Sequence, residues 1–173
     1  MEKLSAEELR EALKERRDGT LLDLRERELE PVDLSGWDLK GVDFTLSSFQ
    51  GVILTGADFT GSSVENALFD GCPMKGASFR NANLKTASFR YCDMRQCDIC
   101  GADLFGAVLE YADLTGIISD EETKWFRLHC PEKGAFLGYK KCFNNRLVQL
   151  LIPADAKRTS ATLLPAAAAR QRC

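Results

Sequence analysis

Every fifth residue from Leu34 to Leu114 is large and apolar: Leu34, Leu39, Phe44, Phe49, Leu54, Phe59, Val64, Phe69, Met74, Phe79, Leu84, Phe89, Met94, Ile99, Leu104, Leu109 and Leu114. A helix repeats at about 3.6 residues and a flat strand at about 2, so neither keeps this pattern on one face. A square coil does. Each side takes five residues, the chain turns a corner after each side, and coils of about twenty residues stack at the strand spacing of about 4.8 Å. The large residue is the centre of its side and points inward.

The flanking positions agree. Two residues before the centre stands Ala at 57, 67, 77, 82, 87, 102, 107 and 112, or Cys at 72, 92 and 97. Only a small group fits inward beside the large one. Two residues after the centre stands Gly at 36, 41, 51, 56, 61, 71, 76, 101, 106 and 116, or Asn at 66 and 81. Those residues tolerate the dihedrals of a corner. Asp precedes the centre at 33, 38, 43, 58, 93, 98, 103 and 113, which suits an outward polar group beside a turn. The residue after the centre is mostly charged or hydroxylated and faces water.

The runs Ala57-Asp58-Phe59, Ala102-Asp103-Leu104 and Ala112-Asp113-Leu114 resemble the pentapeptide repeat proteins. The resemblance covers about half the chain and implies a mainly β fold, a right-handed quadrilateral β-helix of about four coils. Phe44, Phe49, Phe59, Phe69, Phe79, Phe89 and Leu104 are then its structural core. The family mixes inhibitors, structural modules and members of unknown role, so the resemblance specifies fold far more than function.

The 173-residue chain carries a formal net charge of −3, which excludes the wholesale basic character of a nucleic-acid binder. It opens with Glu2, Lys3, Glu7 and Glu8, unlike a signal peptide, and no apolar run approaches the ~20 residues of a membrane helix. Seven cysteines, at least three of them inward fillers, point to a reducing, cytoplasmic setting.

The expected division is a helical cap over 1–31, the repeat solenoid over 32–116, and a small C-terminal β module with tail over 117–173. Residues 1–20 read as one helix. Ser5 is its N-cap, Glu8 completes a capping box, and Leu4 and Leu9 form a staple. Lys14, Arg16 and Arg17 suit its last turn and Gly19 its end. The helix is expected to cover the terminal edge of the solenoid. Trp37, too large for the interior of stacked coils, is expected to plug that end or contact the helix. Leu24 and Leu29 keep the register, but the five-residue rule stops at Ile117. Ser119–Trp125 reads as a turn or short helical segment. Strand-like segments follow at 135–142, 146–152 and 156–162, with Asn144-Asn145 as a turn. This region resembles an uncharacterised domain that follows pentapeptide repeats in other proteins.

Stepping twenty residues assembles four faces. The face of Phe49, Phe69, Phe89 and Leu109 is unusually apolar outside, with Leu68, Val108, Tyr91 and Tyr111, and Phe105 lies on the neighbouring face near the same end. Something is expected to cover this surface, first the protein's own C-terminal segment, otherwise a second copy or another protein. Lys75, Arg80, Lys85, Arg90 and Arg95 form a basic belt, read as a solvated surface with ion pairs between neighbouring coils rather than as a phosphate site.

No catalytic constellation emerges. In Cys97-x-x-Cys100 the first thiol faces in and the second out, so they do not share a metal. Cys72 and Cys92, one coil apart, are expected as free thiols. His129 with Cys130, Cys142 and Cys173 matches no metal spacing, and no cofactor is implied. The sequence reads as a non-enzymatic interaction or scaffolding solenoid whose protein partner is unidentified. Self-association as a homodimer is one form of that reading; membrane insertion and direct nucleic-acid binding are not favoured. The family's alternative is a DNA mimic that modulates a type II topoisomerase. Mimicry needs a long acidic rod, whereas about four coils extend only ~20 Å, and the basic belt divides the acidic surface.

Overall fold

The structure, a computed structural model, describes residues 1–17 and 19–126, and the backbone of two further strands at Phe136–Lys141 and Leu147–Ile152. Met1–Phe126 is one compact unit and Arg127–Cys173 a second.

In the first unit the backbone pairs with itself at a step of twenty residues. Parallel bridges join Asp38 to Asp58, Asp58 to Ser78 and Ser78 to Asp98, and similar ladders run from Asp33, Asp43 and Ser48. In each ladder the amide before a centre and the amide of the centre donate in opposite directions. Ser78 N–H donates to Ala57 C=O at 2.9 Å, and Phe79 N–H donates to Asp98 C=O at 2.7 Å. Corners are closed by a four-residue turn, as where Ala57 N–H donates to Leu54 C=O at 3.0 Å. The third residue of that turn, Gly56, has φ +66°, the region a type II turn demands. The preceding aspartates brace the turns. Asp33 accepts the Ser35 amide at 2.8 Å and Asp103 the Phe105 amide at 3.1 Å. These are Asx turns, which Asp forms with its own short side chain.

The core is two interleaved phenylalanine columns. Phe49, Phe69 and Phe89 stack at centroid distances of 4.5 and 5.0 Å, and Phe59 stacks on Phe79 at 4.9 Å. The columns meet edge-on, as between Phe59 and Phe69 at 6.0 Å and 90°. Centres from Leu34 to Ile99 are fully buried and Leu104 nearly so. Burying each such side chain contributes roughly 1.5–3 kcal/mol, and offset or edge-on ring pairs about 0.5–1.5 more. The inward thiols fill the small positions and also donate. Cys72, Cys92 and Cys97 each reach a carbonyl of the preceding coil at 3.0 Å, those of Phe49, Phe69 and Met74.

The N-terminal end differs from the single helix expected over 1–20. Strand β1 is Glu2–Leu4, helix α1 is Ala6–Lys14, β2 is Leu22–Asp23, β3 is Arg27–Leu29 and β4 is Val42–Asp43. β1 pairs in parallel with β3, and β2 with β4. The chain must first lie along the open edge of β3 before the helix can cross the core, so only nine residues are helical. The expected capping box is present: Glu8 N–H donates to Ser5 Oγ at 3.3 Å, and Ser5 N–H donates to Glu8 Oε2 at 2.8 Å. Leu4 and Leu9 are both buried. Arg16 lies beyond the helix rather than in its last turn, and its guanidinium grips Asp38 through two contacts of 3.1 Å. Trp37 is half-buried with the Arg10 guanidinium 5.1 Å from its ring centroid, so it contacts the helix as expected.

Pairing begins before residue 32, because Leu22 and Asp23 already oppose Val42 and Asp43. The small-residue rule is relaxed there because that coil has no further coil of the same kind beneath it. Pairing also continues past Ile117, where the repeat rule stops. Ile118 bridges Asp98, and Lys124 bridges Asp103 after a one-residue insertion. Thr123 replaces the inward Ala or Cys and donates to Ile99 C=O at 3.1 Å. In the second unit, β5 (Phe136–Lys141) and β6 (Leu147–Ile152) pair antiparallel, Phe136 opposite Ile152 and Lys141 opposite Leu147. The strand expected over 156–162 lies outside the described residues.

Candidate interaction surface

The outward ladder of the fourth face runs Ser48, Leu68, Ser88, Val108. Leu68 is exposed and Val108 half-buried. The corner column beside it reads Gly51, Gly71, Tyr91, Tyr111, all at positive φ. For the glycines this conformation is unstrained. For Tyr91 and Tyr111, at φ +57° and +58°, it opposes the Cβ. The two rings nevertheless remain 64% and 67% exposed, stacked on each other at 5.0 Å and 12°. Phe105 lies at the other corner of the face, edge-on to Trp125 at 5.2 Å and 72°. The structure therefore brings four aromatic rings and two aliphatic side chains to one face and its two corners. Trp125 was not among the expected residues. Twenty residues on from Phe105, the repeat count lands on it, but the register was expected to stop at Gly116.

The basic belt is largely neutralised. Arg80 pairs with Asp98 at 2.7 Å, Lys85 with Asp103 at 3.7 Å, Arg90 with Glu110 at 3.3 Å, and Arg95 with Asp93 at 2.6 Å and Asp113 at 3.7 Å. The step of eighteen between Arg80 and Asp98 recurs in Lys85–Asp103, Arg95–Asp113 and Lys40–Asp58. Coil stacking places the residue after one centre beside the residue before the centre one coil on. The Arg95 guanidinium holds the Asp93 carboxyl below the usual carboxylate range, with Lys75 assisting through space. The belt thus carries its own counterions.

Burial pushes the inward thiols up, Cys72 to about 11 and Cys92 and Cys97 to about 12. These thiols are neutral at ordinary pH and poor nucleophiles. Cys97 donates into the core, whereas the Cys100 amide donates to Asp98 on the outer side. The described cysteines, 72, 92, 97 and 100, are all free. Among the described residues no group of three or more Cys, His, Asp or Glu side chains is placed to hold a metal. His129, Cys130, Cys142 and Cys173 lie outside the described residues. No described helix is long and apolar enough to cross a membrane.

Comparison with known proteins follows the same division. Residues 42–117 match the model of a pentapeptide repeat region, and residues 126–170 match that of a family of unknown function. A search of curated proteins gives no match. Among solved structures, a pentapeptide repeat protein of the Arabidopsis thaliana thylakoid lumen is 28% identical, with 51% of this chain and 61% of that one covered and a TM-score of 0.49. HetL, a pentapeptide repeat protein involved in heterocyst differentiation regulation in the cyanobacterium Nostoc, is 26% identical, with coverage of 61% and 50% and a TM-score of 0.44. QnrB1, a plasmid-mediated fluoroquinolone resistance protein, is 16% identical, with coverage of 69% and 89% and a TM-score of 0.26. The alignments thus span about three fifths and one half of the first two proteins. The repeat in the sequence, the parallel coils it builds and the matched region together make this chain a member of the pentapeptide repeat proteins, followed by an uncharacterised C-terminal domain.

Proposed function

We propose that this chain is a non-enzymatic interaction or scaffolding solenoid that takes a protein partner on the fourth face, across Leu68, Tyr91, Phe105, Val108, Tyr111 and Trp125. The observation that carries this reading is the tyrosine pair. Each tyrosine holds a left-handed backbone costing of order 1 kcal/mol, in a column where glycine serves elsewhere, yet both rings stay in solvent. A partner that buries them would offset that cost.

The finer architecture belongs to the same reading: a right-handed quadrilateral β-helix of about four coils, with a cap over 1–31, repeats over 32–116 and a C-terminal module over 117–173. The free inward thiols support a reducing, cytoplasmic setting. The partner can be a second copy, giving a homodimer. Direct nucleic-acid binding is disfavoured by a belt whose cations already face carboxylates. The same pairs disfavour DNA mimicry of the type II topoisomerase kind, because they interrupt any continuous acidic face.

Tyr91→Gly with Tyr111→Gly tests the proposal cleanly, since glycine accepts the φ of both positions. Crosslinking in lysate of the native host, with light scattering on the pure chain, should show a partner or dimer that the double variant loses and Arg80→Asp keeps. Equal capture by all three would overturn the fourth face as the interface. A supercoiling assay with a type II topoisomerase should show no inhibition.

A further inference from the structure

A second surface lies at the opposite end of the solenoid, where α1 crosses the first coil. A groove there is lined by Arg10, Leu13, Lys14, Arg16, Trp37 and Asp38. Arg10, Leu13 and Lys14 share one helix face by their spacing of three and four residues. The charges of the groove differ in how they are engaged. Arg16 is consumed by Asp38 and by Lys40 C=O at 3.0 Å. Lys14 is held by Glu11 at 2.6 Å. Arg10 has no acidic partner among the described residues. Its guanidinium lies over the Trp37 ring, and the ring supplies no hydrogen-bond acceptor in the plane of the fork.

We propose that this groove binds an acidic peptide segment, one carboxylate taken by the Arg10 fork and an adjoining aliphatic side chain resting on Leu13 and the exposed part of Trp37. An arginine laid flat on an aromatic ring has its donors fixed in one plane, and a carboxylate matches two of them at once. The groove has one uncompensated cation, so it fits one carboxylate. A polyanion fits poorly, because Glu11 and Asp38 flank the site and the covered face of Trp37 offers no stacking surface to a base. This surface is independent of the fourth face.

The test uses the full chain carrying Trp125→Phe, which leaves Trp37 as its one tryptophan. The probes are acetyl-Leu-Glu-Leu-amide and its Gln counterpart, followed by Trp37 fluorescence. The Glu peptide should give a saturable change, weaker by about tenfold or more for the Gln peptide and for Arg10→Gln, the worth of a charge-assisted hydrogen bond. Arg10→Lys should fall between, since it keeps charge without the fork. Circular dichroism of each variant should match the parent, and Tyr91→Gly/Tyr111→Gly should leave the titration unchanged. Absence of saturation, indifference to Glu against Gln, or unchanged binding by Arg10→Gln would overturn the assignment. So would tighter binding of a short thymidine oligonucleotide, which would make the site a nucleic-acid contact.

Discussion

The two ends of the solenoid are built on the same repeat and finished differently. At the N-terminal end β1 pairs with β3, and α1 lays Leu9 over the core with only 1% of it exposed. Leu24 and Leu29 beneath are buried. At the other end the last two centres, Leu109 and Leu114, are half-buried. Their amides have no backbone acceptor among the described residues, whereas one coil earlier Phe89 N–H donates to Val108 C=O at 2.8 Å and Met94 N–H to Asp113 C=O at 3.0 Å. One amide near this end is met by a side chain, as Asp120 accepts the Gly101 N–H at 2.9 Å. A repeat satisfies each coil through its neighbours, so it cannot finish itself. Closure must come from sequence that breaks the repeat.

The largest expected effect lies between the ends, and it tests the register on which the comparison rests. Phe79→Asp buries an unpaired charge against Phe59, Phe69 and Phe89, and a thermal melt should show no cooperative transition. Arg80→Asp, one residue on, should fold with a loss of about 1 kcal/mol or less. If both were tolerated, the inward and outward assignments would be wrong.

The ends themselves separate next. Leu9→Ala should destabilise by about 2–5 kcal/mol in denaturant melts, and Leu114→Ala by roughly half as much or less, because a half-buried side chain leaves less cavity. Hydrogen exchange should agree, with the Leu109 and Leu114 amides exchanging orders of magnitude faster than those of Phe89 and Met94. Equal protection would mean that the C-terminal end is as well closed as the N-terminal one.

A smaller effect sharpens the role of the helix. Ser5→Ala removes the N-cap acceptor and should cost about 1 kcal/mol, with Leu9 losing protection before any core phenylalanine does. The smallest concerns the helix seat. The Arg16 guanidinium holds the Asp38 carboxyl below the usual carboxylate range. Its folded value is therefore below its unfolded one, so the contribution is complete above the ordinary carboxylate range and is lost as pH falls through the lowered value. Wild type should lose slightly more stability between pH 7 and pH 3 than Arg16→Gln. Equal losses would remove the ion pair from the account of the closed end.

The coil was legible in the sequence because its constraint is local and recurrent. Phe49, Phe69 and Phe89 each need a small inward neighbour and a permissive corner within the same five residues, so every repeat restates the same steric problem. The interaction surface was partly legible: Tyr91 and Tyr111 fall one coil apart by counting. That they stack, and that they do so at a glycine-like φ, depends on backbone geometry that the count does not contain. Ends and partners were not legible in this way. Residues 2–4 read as the start of a helix because Ser5 and Glu8 cap so clearly, but the open edge of β3 claims them as a strand. Trp125 joins Phe105 only because Lys124 resumes the ladder after an insertion. The sequence by itself determined which side chains face inward, because that follows from the period. The tertiary structure decided which charges meet, which edge is covered and where aromatic rings gather, because those depend on residues twenty or more positions apart being brought together by the stacking of coils.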